Sequence, residues 1–150
     1  MTNNSRIFLV TIFLILIALL LPFAYHLDLN PFGWNSYEAV LWRYVESTSS
    51  VLLLNNTANL FPYYVFGFAF ILQIYRYYKN KTNRIWTILT GIYATLHPLY
   101  LSLPVLLGLP FTIAPGGEVM YPAIIPIPIL LVFGIVFMYL KPSIVITESV

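Results

Sequence analysis

The chain has 150 residues, of which 60% are hydrophobic and only 8% charged, with a net charge of +2. An average soluble domain is about 25% charged, so the composition predicts one apolar-surfaced domain embedded in a membrane. The small net charge argues against nucleic acid as a partner, and the absence of cysteine excludes disulfides, thiol relays and cysteine-ligated metal or iron–sulfur sites.

In chain order, four apolar segments predict an all-α membrane protein made of a single four-helix transmembrane domain over residues 1–150. The spans fall at about 7–25, 59–78, 85–107 and 121–140. Each has roughly the 20 residues that cross a hydrocarbon core about 30 Å thick. The first begins after Arg6 and runs through Ile7–Leu21. A signal-peptide reading is disfavoured, because Pro22 spoils the small-residue cleavage pattern.

Between the first two segments, Asn35 and Glu38 resemble a capping box. Tyr37, Val40, Leu41, Tyr44 and Val45 then recur at helical spacing. The pattern predicts a short amphipathic helix over about 36–48, lying on the outer face. Asn55-Asn56-Thr57 fits the glycosylation acceptor pattern.

The second and third segments are joined by Arg76, Lys79, Lys81 and Arg84, four of the seven basic residues, with no acid among them. The excess of Lys and Arg predicts a cytoplasmic loop, both termini inside, and a multi-pass location in a plasma membrane. The Ile-, Leu-, Tyr- and Asn-rich composition suggests a prokaryotic source.

The third segment carries a stripe of Thr87, Thr90, Gly91, Ala94, His97, Pro98, Leu101 and Ser102. Small residues at three- and four-residue spacing predict a helix–helix seam, with His97 bonded across it. The competing functional reading of His97 is a proton relay, a quinone hydrogen-bond donor or a haem ligand. His26 lies too far along its own segment to share a haem with His97. The loop after the third segment has a turn signal at Ala114-Pro115-Gly116-Gly117, and Pro122, Pro126 and Pro128 predict a kinked outer half for the fourth segment. The irregular ends of the third and fourth segments place a candidate cavity near His97, Tyr100, Glu118 and Tyr121.

No catalytic constellation is present: the sequence holds no HExxH, GxSxG or phosphate-loop pattern. No metal site is predicted, and neither is a resident cofactor, with haem or quinone beside His97 as the alternative. The leading functional expectation is a non-catalytic integral-membrane subunit of a larger complex. It would act in packing and assembly with other membrane subunits and the bilayer, a respiratory or redox complex being one host. A small oligomeric transporter or channel, and an anchor for haem or quinone at His97, are the alternatives.

Overall fold

The computed structural model describes residues 3–28, 35–53, 57–103, 107, 112–113, 119–120 and 122–141. It corrects the expected class. Among the described residues there are four α-helices and a five-stranded antiparallel sheet. Helix α1 spans Asn3–Leu20, α2 Thr57–Tyr78, α3 Arg84–Leu96 and α4 Ile129–Tyr139. A 3₁₀ helix, η1, continues α3 over His97–Ser102. Strands β1 (Ala24–Asp28), β2 (Ser36–Glu38), β3 (Trp42–Val45), β4 (Ser50–Leu53) and β7 (Pro122–Pro126) form the sheet in the order β4-β3-β2-β1-β7, and β5 (Thr112–Ile113) pairs with β6 (Val119–Met120).

Among the described residues no helix is long and apolar enough to cross a membrane. The all-α membrane bundle and the multi-pass plasma-membrane location inferred from it fall with that finding. The reasons are local. At 1.5 Å per residue, the 13 residues of α3 rise only about 20 Å and the 11 of α4 about 16 Å. The third segment shortens because Pro98 stands at the start of η1, where the chain tightens into 3₁₀ geometry. In the fourth segment Pro122–Pro126 is a strand, and the helix begins only after Pro128, its N-terminal cap.

The amphipathic helix expected over 36–48 is two linked hairpins. Ser36, Tyr37 and Glu38 alternate buried, exposed, buried, the period of a strand. β2 pairs with β3 through Tyr37↔Tyr44 and Glu38↔Arg43, and β3 with β4 through Tyr44↔Val51 and Arg43↔Leu52. Ser49 takes a positive φ of 50° in the turn Glu46–Ser49 that joins β3 to β4. Asn35 does not cap a helix; its carbonyl accepts the Glu46 N–H at 2.9 Å and closes the β2–β3 ladder. The turn at the other end of this hairpin meets α1. Trp42 Nε1 donates to the Leu20 carbonyl at 2.7 Å and the Leu41 N–H to the Leu19 carbonyl at 3.3 Å, which satisfies two carbonyls that the end of α1 leaves open.

The core lies between α1, α2 and α4. Ile7, Val10 and Leu14 of α1 pack with Phe70, Ile71, Ile74 and Tyr78 of α2, and Leu130, Leu131, Phe133 and Phe137 close over them. Phe70 fills a slot made by two glycines: a Cβ on Gly91 of α3 or on Gly134 of α4 would stand 2.6 or 2.5 Å from its ring. Thr87 and Gly91 of the small-residue stripe are both buried, which brings α3 close to α2.

Candidate functional site

Two residues of the basic loop, Lys79 and Arg84, lie with Arg6 and Lys141 at one end of the helical layer. Arg6 Nη2 donates to the Leu140 carbonyl at 2.7 Å, and Lys141 Nζ to the Tyr77 carbonyl and to Asn80 Oδ1, both at 2.6 Å. Lys79 Nζ reaches Asn4 Oδ1 at 3.0 Å, and the Arg84 guanidinium lies 4.0 Å over the Tyr139 ring. The ends of α2 and α4 carry the negative pole of the helix dipole and open carbonyls, so cations belong there on local grounds. Burial lowers the Lys141 pKa from its ordinary value.

Of the expected cavity residues, Glu118 and Tyr121 lie outside the described residues, as does the glycosylation candidate Asn55. The other two come together. His97 opens η1, and its ring sits 4.2 Å from Phe66, 5.6 Å from Tyr93 and 6.4 Å from Tyr100, the last stacked within 8°. The imidazole is thus one member of an aromatic cluster at the junction of α2, α3 and η1. Desolvation lowers its pKa. Among the described residues no group of three His, Cys, Asp or Glu could hold a metal ion. His26, the other histidine, is on strand β1 rather than a helix. The cavities described open elsewhere. A small apolar one of about 50 Å³ lies where Ile17 and Leu21 meet Phe23, Gly67 and Leu130. A shallow depression of about 420 Å³ on the sheet is lined by Tyr37, Trp42, Tyr44, Val51 and Leu53.

Reading the sequence as helical missed the charged cluster of the sheet. Registers His26↔Ser36 and Glu38↔Arg43 bring four polar residues onto one face of β1, β2 and β3. Arg43 Nε lies 2.8 Å from Glu38 Oε1 and donates to Ser36 Oγ at 3.1 Å. The Ser36 hydroxyl donates to Glu38 Oε1 at 2.9 Å, and His26 Nδ1 stands 4.0 Å from the same oxygen. Ser36 is 0% and Glu38 5% exposed. A substrate cannot reach the Ser36 hydroxyl without opening the sheet, so the cluster suits holding strand register more than nucleophilic chemistry. The opposite face carries a row across the sheet, Ile125, Tyr25, Tyr37, Tyr44 and Val51, each paired with the next. Ring centroids in this row lie 4.8 Å apart for Tyr25 and Tyr37 and 6.5 Å for Tyr37 and Tyr44. Tyr25 donates to Glu46 Oε2 at 3.1 Å; desolvation and then that bond raise its pKa.

No family model, no curated protein and no solved structure matches the chain.

Proposed function

We propose that this chain is a non-catalytic subunit of a larger protein assembly, and that it acts by packing. One observation carries the reading: the outward faces of the helical layer are apolar, and nothing among the described residues covers them. On α1 the row Phe8, Ile12 and Leu16 is exposed, Phe8 by 64%. On α3 Ile85, Trp86, Leu89, Ile92, Tyr93 and Leu96 are exposed, Trp86 by 61%, and on α4 Val132, Val136 and Tyr139. Monomeric soluble proteins rarely leave contiguous apolar patches larger than a few hundred Å² open to water, and larger ones mark interaction surfaces. The burial of Ser36 and Glu38 supports a structural rather than a catalytic role for their cluster with Arg43.

The test is to isolate the protein from its native source under mild conditions, measure its native mass and identify what co-migrates. Foreign subunits in fixed ratio to this chain are expected. A particle containing this chain alone refutes the reading.

A further inference from the structure

We propose that the free edge of β4 pairs with β4 of a second copy of this chain, joining two sheets across a twofold axis. The proposal concerns the sheet edge and stands apart from the reading of the helical faces.

The two edges of the sheet are finished differently, and strand alternation shows how. Backbone groups of successive residues in an antiparallel strand point to opposite sides. At the β7 edge, the Ile127 N–H donates to the Phe23 carbonyl at 2.8 Å, so Ile127, Ile125 and Ala123 turn toward β1. Pro122, Ile124 and Pro126 therefore face outward. The two prolines have no N–H to offer. The Ile124 N–H donates to Ser102 Oγ at 2.7 Å, and the same hydroxyl donates to the Ile124 carbonyl at 3.3 Å. Ser102 is 4% exposed. One side chain from η1 thus occupies the single pairing position that the prolines leave, and this edge is sealed.

Among the described residues the β4 edge is open. The Trp42 carbonyl accepts the Ala39 N–H and the Glu46 N–H donates to the Asn35 carbonyl, both at 2.9 Å, so Trp42, Tyr44 and Glu46 face β2. Arg43 and Val45 then face β4, where they meet Leu52 and Ser50. That leaves the N–H and C=O of Val51 and Leu53 pointing off the sheet, with no strand beyond them among the described residues. The same two residues carry exposed aliphatic side chains, Val51 at 59% and Leu53 at 72%. β4 contains no charge and no proline, the usual protections of an edge.

An antiparallel edge is self-complementary under a twofold axis, since every outward donor then meets an outward acceptor. One register uses all of them. With Leu52 opposite Leu52 of the second copy, Val51 exchanges both bonds with Leu53 of that copy, and Leu53 with its Val51. The exposed side chains become cross-strand apolar pairs on one face. No like charges are opposed, because the nearest cation, Arg43, is already paired with Glu38. The row from Ile125 to Val51 then continues onto Leu53 of the second copy and, through it, onto Trp42 of that copy.

The chain has no cysteine, so one introduced thiol reports the register. Leu52→Cys would place two thiols in a non-hydrogen-bonded pair, with Cα atoms about 4.5 Å apart, inside the disulfide range of about 4.4–6.8 Å. Mild oxidation of purified L52C should convert most of the chain to a covalent dimer, while Ser47→Cys, in the exposed turn before β4, cross-links little. Native masses should show two copies of the 17.2 kDa chain per particle. Val51→Pro removes only an N–H that points off the sheet, so it should halve the copy number with the circular dichroism spectrum retained. Val51→Lys, which sets a charge in the seam of each copy, should do the same if the proline variant folds poorly. A single copy per particle, or L52C cross-linking no faster than S47C, overturns the proposal whether or not foreign subunits are present.

Discussion

Gly134→Ala should destabilise this protein, although alanine is the better helix former. In an exposed helix the exchange stabilises by about 1 kcal/mol. Here the new methyl carbon would stand 2.5 Å from Phe70 Cζ, 2.6 Å from Cε1 and 2.8 Å from Ile74 Cδ1. The ring cannot retreat. It is 1% exposed, and its Cε2 and Cζ already lie 2.6 and 2.7 Å from where a Cβ on Gly91 would be. Overpacking a core costs about 1–3 kcal/mol, and a site closed on both sides belongs at the upper end. The net loss is therefore roughly 1–2 kcal/mol, which for a chain of this length lowers the thermal midpoint by about 2–8 °C. Thermal unfolding of the wild type, Gly134→Ala, Phe70→Leu and the double variant measures it. Leucine shortens the offending group, so the alanine should cost at least about 1 kcal/mol less in the Phe70→Leu background. A Gly134→Ala midpoint at or above the wild type, or strict additivity of the two changes, refutes the two-glycine slot.

Ser102→Ala removes the hydroxyl that satisfies Ile124, and should cost about 1 kcal/mol by leaving a part-buried donor and acceptor without that partner; amide exchange at Ile124 should accelerate with it, and unchanged exchange would contradict the sealed edge. Glu38→Ala strips Arg43 of its carboxylate and should cost about 2–3 kcal/mol, less than a fully buried pair because Arg43 is partly exposed; Arg43→Ala added to it should cost little more, and full additivity would argue against the pair. Burial holds the His97 pKa below about 6.5. Between the folded pKa and 6.5 the unfolded chain then binds more protons, so stability is lost as pH falls through that window. The midpoint should drop from pH 7 to pH 5 and drop less in His97→Gln; an equal drop in both would remove His97 as the source.

Where the chain is helical was partly legible, and why it stops was not. Apolar runs mark α1 and α2, because burying one face against neighbours needs nothing more. The third and fourth segments are apolar runs too, with a different outcome. Pro98 does not kink a continuing helix; it starts a 3₁₀ turn that carries Ser102 to β7. Pro122 and Pro126 do not distort a helix either. They are four residues apart in a run of Ile and Ala, an even spacing that puts both missing N–H groups on one side of a strand. That spacing is the signal of an edge strand, and reading hydropathy alone passes over it.

The polar cluster was hidden by a coincidence of periods. Tyr37, Tyr44 and Val51 recur every seven residues, which suits a helix face. It suits two successive tight hairpins equally, since folding three short strands back and forth lines up the same residues as cross-strand neighbours. Ser36-Tyr37-Glu38 breaks the tie. On a helix these three point in different directions, whereas on a strand Ser36 and Glu38 share one face, across from His26 and Arg43. A buried carboxylate and hydroxyl and the partly exposed guanidinium that binds them bond well only in the observed register. A slip by one residue would bury the tyrosines and expose the ion pair. The cluster therefore fixes which faces of Val51 and Leu53 turn outward, and with them the pattern of donors and acceptors that the open edge offers to a second copy.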